Sequence, residues 1–418
     1  MVFPLAAMAA MYLLFLPRVS RSSGPLQQDV YVWQRAWNSG VTDSISRHGS
    51  NFNTVVPLAA EAIWERGAFT IVQTQIDFES LKRSARKVGL ALRIGAYPGP
   101  YHGEGEPIEG LGRSIAGWLA EAETHELKVS DVHIDFDCPD SQLAGYRLWI
   151  EALRKQVRAP IWITALPSWL NQAAFPQLAK AANGFILQVH SLNRPQNSSE
   201  RIRICDPAKA LQWAELAARL KVPFKIALPT YGYQATYSAD GKFLGASTEG
   251  PEPIWPRNST QEVVRVEPMA MAELVRKWTD DRPALLAGII WYRLPIEGDR
   301  FNWTWPTLTA VQQGRAPVKH WSISTRSREP GQFEVILDND GELDLEELPG
   351  VRARWSTGRL IAGDGLGGYE LRESGATAVE FVARRNGGWH RIRAGESSIV
   401  GWLRLDRSER NEIHIEAF

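Results

Sequence analysis

Eight short, β-rich apolar runs recur along the chain, each parted from the next by a helical pattern or a turn. This recurrence restricts the fold more than any other feature. The runs are VYVWQRAW (30–37), TVVPLAAEA (54–62), GLALRIGAYP (89–98), DVHIDFDCP (131–139), PIWITALP (160–167), GFILQVHSL (184–192), PFKIALPTYGY (223–233) and AGIIWYRLP (287–295). Strands that alternate with helices pair in parallel, because the helix supplies the crossover that a parallel pair needs. Eight such units predict an α/β fold, a (β/α)8 TIM barrel over residues 29–314.

Several intervening helices are legible. The segment from Ser141 to Val157 places Leu143, Tyr146, Leu148, Ile150 and Leu153 on one broad apolar stripe. Asp206 followed by Pro207 reads as a helix cap and a first-turn proline. TIVQTQIDF (70–78) predicts an additional strand before a helix near Ser80 to Lys87. The stretch from Ser238 to Arg265, with its Asp240-Gly241 turn signal, interrupts the seventh unit and reads as a hairpin-like insertion over the barrel mouth. After Gly314 the pattern changes to short alternating strands, GQFEVILDN, RARWSTGRLI, TAVEFVARR, WHRIRA and SIVGWLRLD, separated by Asn, Asp and Gly turns. That predicts a small all-β sandwich domain over 317–418.

Lysine plus arginine number 47 against 47 aspartate plus glutamate, which leaves no net field to hold a polyanion, so nucleic acid is not an expected partner. Two cysteines, Cys138 and Cys205, are too few for a disulfide framework or a thiolate metal cluster. Tryptophan is more numerous than phenylalanine, 17 against 14. Flat indole faces stack on sugar rings, although buried tryptophans more often serve the core. Residues 2–17 are almost wholly apolar, too short for a comfortable spanning helix, and suit a secretory signal or membrane anchor within residues 1–24. Periplasmic or secreted location follows as an expectation, with membrane association through that segment.

Barrel active sites lie at the C-terminal ends of the strands, so the last inward-pointing polar side chains are the candidates. In DVHIDFDCP, Val132, Ile134 and Phe136 form an apolar set that meets the helices, leaving His133, Asp135 and Asp137 pointing inward. Two carboxylates two residues apart raise each other's cost of ionisation, one way to separate acid and base roles. The same alternation puts Arg93 and Tyr97, Gln188 and His190, Tyr231 and Tyr233, and Trp291 and Arg293 inward. Trp33 and Arg35 take the same assignment on the first strand. Arg93 and Arg293 need carboxylate partners in such an interior, the simplest being Asp135, Asp137 and Glu61.

Three stretches resemble the chitinase family of glycoside hydrolases, family eighteen, across residues 30–313. IALPTYGY (226–233) is similar to its strand-seven signature, GIIWYRLP (288–295) to its terminal strand with a sugar-stacking tryptophan, and IDFD (134–137) to the D-x-D part of its strand-four motif. The family motif ends D-x-D-x-E, and its Glu protonates the leaving oxygen; the matching position here is Pro139. The family's strand-six Tyr corresponds to His190. The resemblance therefore implies the barrel but not the whole substrate-assisted mechanism. VYVWQRAW, the IDFD strand and a C-terminal β domain together resemble more tightly a bacterial barrel family defined only as a domain of unknown function.

Two readings of function follow. In the first, the barrel is a glycoside hydrolase acting on a poly- or oligosaccharide, with Asp137 as general acid, Asp135 shaping its ionisation, and Asp140 or Glu61 as second carboxylate. Trp33, Trp291 and Trp255 would stack on sugar. In the second, it is a non-catalytic glycan-binding barrel whose acid position is lost at Pro139. Both carboxylates locked by arginine would favour the second. A metal-dependent hydrolase using His133, Asp135, Asp137 and His190 is a weaker third reading, because no tight ligand spacing appears. Neither a metal nor a cofactor is expected.

Overall fold

The computed structural model describes residues 19–190, 195–200, 202–248, 253–384, 391–406 and 412–418. The apolar segment 2–17 lies outside the described residues. The described residues form two compact units, one ending at Asn302 and the other starting at Trp303.

In the first unit eight parallel strands close into a barrel: β1 (Gln27–Val32), β2 (Thr54–Glu65), β3 (Val88–Ile94), β4 (Val129–Phe136), β5 (Ile161–Ala165), β6 (Gly184–Gln188), β7 (Phe224–Pro229) and β8 (Leu286–Tyr292). Each strand pairs with its neighbours in chain order, and β8 with β1 closes the ring. Helices α1 (Ser39–His48), α2 (Phe78–Ser84), α3 (Ile108–Thr124), α4 (Leu143–Gln156), α5 (Phe175–Ala181), α6 (Pro207–Ala218) and α7 (Pro268–Asp280) fill the seven intervals. Local chemistry sets their starts. Asn38 accepts from the Val41 N–H at α1, and Asp206 accepts from Ala208 and Lys209 at α6, with Pro207 in the first turn. On α4 the buried stripe is Leu143, Tyr146, Trp149, Ile150 and Leu153. Leu148 points outward instead, because Trp149 is the residue that completes the 3.6-residue spacing.

Strand Ala68–Gln73 pairs antiparallel with the extended end of β2. The insertion after β7 is a three-stranded antiparallel sheet, Gly232–Tyr237, Phe243–Ser247 and Thr260–Arg265. It begins six residues before the predicted Ser238, so Tyr233 belongs to it and not to the seventh barrel strand. Trp255 packs over Gly245, where a Cβ would run into the indole.

The barrel interior holds Tyr31, Trp33, Val56, Leu58, Ala91, Ile186, Ala227 and Ile290. Beneath them lie charges. Lys225 Nζ stands 2.6 Å from Asp29 Oδ2, both side chains buried, and 4.8 Å from the centre of the Trp162 ring. Trp162 fits there because its neighbour on β6 is Gly184, where any Cβ would strike the indole. His133 Nε2 lies 3.2 Å from Asp131, and its Nδ1 lies 2.8 Å from the Tyr31 hydroxyl.

The second unit opens with helix Trp305–Gln312 and continues as two four-stranded antiparallel sheets. Their shared core contains Val335, Leu337, Val351, Trp355, Tyr369, Phe381, Val400 and Leu403. RARWSTGRLI forms two strands, Val351–Trp355 and Leu360–Gly365, not one. Of WHRIRA, the first two residues lie outside the described set, and Ile392 contributes only an isolated bridge to Leu345. Strands Ser322–Glu329, Tyr369–Gly375 and Ile413–Ala417 complete the sheets.

Candidate functional site

A cavity of about 280 Å³ opens at the C-terminal ends of the barrel strands, lined by Tyr31, Trp33, Arg35, Glu61, Arg93, Asp135, Asp137, Thr164, Gln188, His190, Ala227, Tyr231 and Tyr292. Strand alternation accounts for most of this set. On β4, polar residues take the inner face and Val132, Ile134 and Phe136 the outer one, all three buried against the helices. Glu61 reaches the cavity by a different route. The register between β2 and β3 slips between Leu58 and Ala60, so the inward face changes from Leu58 to Glu61, opposite Arg93.

The electrostatic centre is Arg93, whose guanidinium forks across the two aspartates. Nη1 donates to Asp135 Oδ2 at 2.6 Å and Nη2 to Asp137 Oδ2 at 2.7 Å. The second oxygen of Asp135 accepts from the Thr164 hydroxyl at 2.7 Å. Burial pushes Asp135 above the ordinary carboxylate value while Arg93 pulls it back. Asp137 is exposed over about half its side chain (48%), and its Oδ2 is the oxygen that Arg93 holds. At the rim, Arg35 grips Glu61 through Nε and Nη2 at 2.7 and 2.8 Å.

Aromatic rings form the opposite wall. Tyr31, Trp33 and Tyr292 meet edge-on or tilted at 5.1–6.2 Å, and Tyr231 stands T-shaped to Tyr292 at 5.5 Å. His190 stacks on Tyr292 at 5.4 Å, with Nδ1 3.3 Å from the Tyr231 hydroxyl. Burial lowers His190 to about 3, so its ring is neutral near pH 7. Gln188 donates to the His190 carbonyl at 3.3 Å. Burial also raises Tyr31 and Tyr292, which keeps both phenols protonated.

Five expected site residues lie elsewhere. Trp291 is fully buried on the outer face of β8, its indole N–H donating to Gln28 Oε1 at 2.6 Å, while Ile290 and Tyr292 point inward. Its partner on β1 is Val30, also an outer-face residue. Arg293 follows the strand, pairs with Asp299 at 2.5 Å, and lines a neighbouring cavity of about 940 Å³ that shares Arg35. Tyr233 is buried opposite Val264 in the inserted sheet. Asp140 starts the turn before α4, accepting from Ser168 and Gln172 at 3.0 Å each. Tyr97 is likewise off the mouth, packed against Trp64 and Phe69. Pro139, at the matching position for the chitinase acid, precedes the same turn as Asp140.

Tyr31, Thr164 and Tyr292 line the cavity although the sequence reading did not select them. Tyr31 shares a face with Trp33, a signal that alternation contained. Among the described residues no group of three or more His, Cys, Asp or Glu is arranged to hold a metal ion. Cys138 and Cys205 are free thiols. Among the described residues no helix is long and apolar enough to cross a membrane.

Residues 109–297 match a family model, from within α3 to the residues just past β8. That model is DUF3142, a domain of unknown function. Residues 322–406 match a second such model, DUF8456. No curated protein matches the chain. Among solved structures, the spore cortex-lytic enzyme SleL of Bacillus megaterium is 12% identical, covering 71% of this chain and 75% of its own, with a TM-score of 0.48. A chitinase from Chromobacterium violaceum is 15% identical over 69% of this chain and 98% of its own, at 0.45. A family 18 N-acetylglucosaminidase from Paenibacillus barengoltzii is 12% identical over 69% and 99%, at 0.44.

Proposed function

We propose that the barrel mouth binds one sugar unit of an oligo- or polysaccharide and holds it without cleaving it. The observation that carries this reading is the fork of Arg93 across Asp135 and Asp137. Glycoside hydrolysis needs a group that delivers a proton to the leaving oxygen, and a carboxyl can do so only in its neutral form. Arg93 donates to one oxygen of each aspartate, so those two oxygens act as acceptors and not as proton carriers. Asp135 accepts on both oxygens, Glu61 is held on both of its own, and His190 carries no second proton to give near neutral pH.

Recognition, by contrast, has its parts in place. Charged donors and acceptors suit vicinal hydroxyls, and the rings of Trp33, Tyr231 and Tyr292 give flat apolar faces. At about 280 Å³ the cavity falls just below the roughly 300–1,000 Å³ of larger ligand clefts, so it suits a single ring. The adjoining cavity, which shares Arg35, gives room for a chain to continue.

Hydrolysis with Asp137 as the acid is the second reading, favoured by that side chain's exposure at the mouth. One panel separates the two. Wild-type protein and Asp137→Asn are titrated with bacterial and host polysaccharides, and both binding and released reducing ends are scored. Binding without product supports the proposal. Product release that disappears in Asp137→Asn overturns it in favour of the enzyme, and binding to no member of the panel overturns both.

A further inference from the structure

We infer that the sugar unit taken by this cavity is a cationic one, an amino sugar whose nitrogen is not acylated. The inference deepens the glycan-binding reading and rests on it. Its first support is the balance of charge inside the cavity. Three acidic side chains, Asp135, Asp137 and Glu61, line the cavity with two guanidiniums, Arg93 and Arg35, which leaves one acidic group in surplus. His190 does not cancel it, because burial keeps that ring neutral at working pH.

The second support is where the surplus sits. Asp135 spends one oxygen on Arg93 and the other on Thr164, and Glu61 spends both on Arg35. Arg93 occupies only Oδ2 of Asp137, and among the described residues no hydrogen bond or ion pair reaches Oδ1. That oxygen lies on the half-exposed side chain at the mouth, where a ligand enters. The third support is the facing wall. Aromatic faces attract cations through their quadrupole, and Trp33 and Tyr292 border the same small space. An ammonium between Asp137 Oδ1 and these rings would gain a charge-assisted hydrogen bond and a π face together. An acetamide nitrogen at that position could donate one neutral hydrogen bond to Oδ1 but would bring no positive charge to it.

The test uses the full chain and three methyl β-glycosides that differ only at carbon 2: glucosamine, N-acetylglucosamine and glucose. Affinities are measured by NMR titration at about pH 6, where the sugar amine is largely protonated and His190 is not. The expected result is that the glucosaminide binds about tenfold or more tightly than the other two, the scale of one charged hydrogen bond. Asp137→Asn, which keeps the shape of the side chain, is expected to abolish that preference, so that the glucosaminide loses about tenfold or more in affinity and the two neutral sugars lose distinctly less. Equal affinity for all three sugars, or a preference that survives in Asp137→Asn, overturns the cationic assignment and leaves sugar binding standing. Binding of none of the three overturns both.

Discussion

Replacing Arg93 with methionine tests the arrangement most directly, because the guanidinium is the shared counter-charge of two aspartates. Asp135 is almost wholly buried, with a side-chain exposure of 8%, against 31% for Arg93. Removing one partner of a buried ion pair costs about 3–5 kcal/mol. Two features reduce that figure here. Arg93 is partly solvated, and Asp135 can relieve its own charge by taking up a proton while keeping Thr164. The expected loss is therefore about 2–3 kcal/mol near pH 7.5, or a melting-temperature decrease of about 5 °C for a unit of this size. The pH dependence has a definite sign. Burial already raises Asp135, and losing Arg93 raises it further. A carboxyl whose folded value lies above its unfolded value takes up a proton on folding, so its contribution is present below the unfolded value and lost as pH rises through the folded one. The penalty of Arg93→Met should therefore shrink as pH is lowered to about 4.5, at roughly 1.4 kcal/mol for each unit of added shift. Differential scanning calorimetry of both proteins across that range reads the effect. A variant as stable as wild type near pH 7.5, or a penalty that does not change on acidification, would refute the reasoning.

Other substitutions address separate parts of the molecule. Trp291→Phe should lower the barrel's melting temperature, through a lost hydrogen bond and a cavity worth about 2–3 kcal/mol, yet leave sugar affinity unchanged. Tyr292→Leu should weaken sugar affinity about tenfold, because it removes a ring from the cavity wall; calorimetric titration of both variants checks the contrast. Gly401→Ala should cost about 1–3 kcal/mol in the C-terminal unit, since the new methyl would meet the buried Phe381 ring and the Asp364 carbonyl. Its unfolding transition should fall while the barrel's stays in place. Glu61→Gln should shift stability by less than about 1 kcal/mol, because Arg35 is more than half exposed and a rim ion pair is weak in water, a result that thermal melts can contradict.

The barrel was legible because each strand falls on a compact apolar run set between helical patterns, and each of the eight runs overlaps a strand of the ring. The orientation of β4 was legible for a related reason. Its polar residues His133, Asp135 and Asp137 alternate with apolar ones, and only one face can be wet. No such contrast exists on β8. Ile289, Ile290 and Trp291 are all fully buried, so both faces look alike and alternation alone could not choose between Trp291 and Tyr292. Glu61 depended on a slip of one residue in β2, which no periodic pattern announces. Tyr233 lay in an apparently continuous run that leaves the barrel after Pro229 and turns into antiparallel pairing. Asp140 kept the right distance along the chain but is bound by Ser168 and Gln172 in a turn.

The ion pairs threaded through the barrel bear on how its sequence can drift. Lys225 with Asp29 and Arg93 with its two aspartates occupy space that most barrels fill with hydrocarbon. Losing one member strands its opposite in a medium that cannot solvate it, whereas exchanging both members for apolar groups of matching volume can be nearly neutral. Substitution at these positions should therefore proceed in coupled steps, and relatives of this chain should carry either the whole pair or neither half.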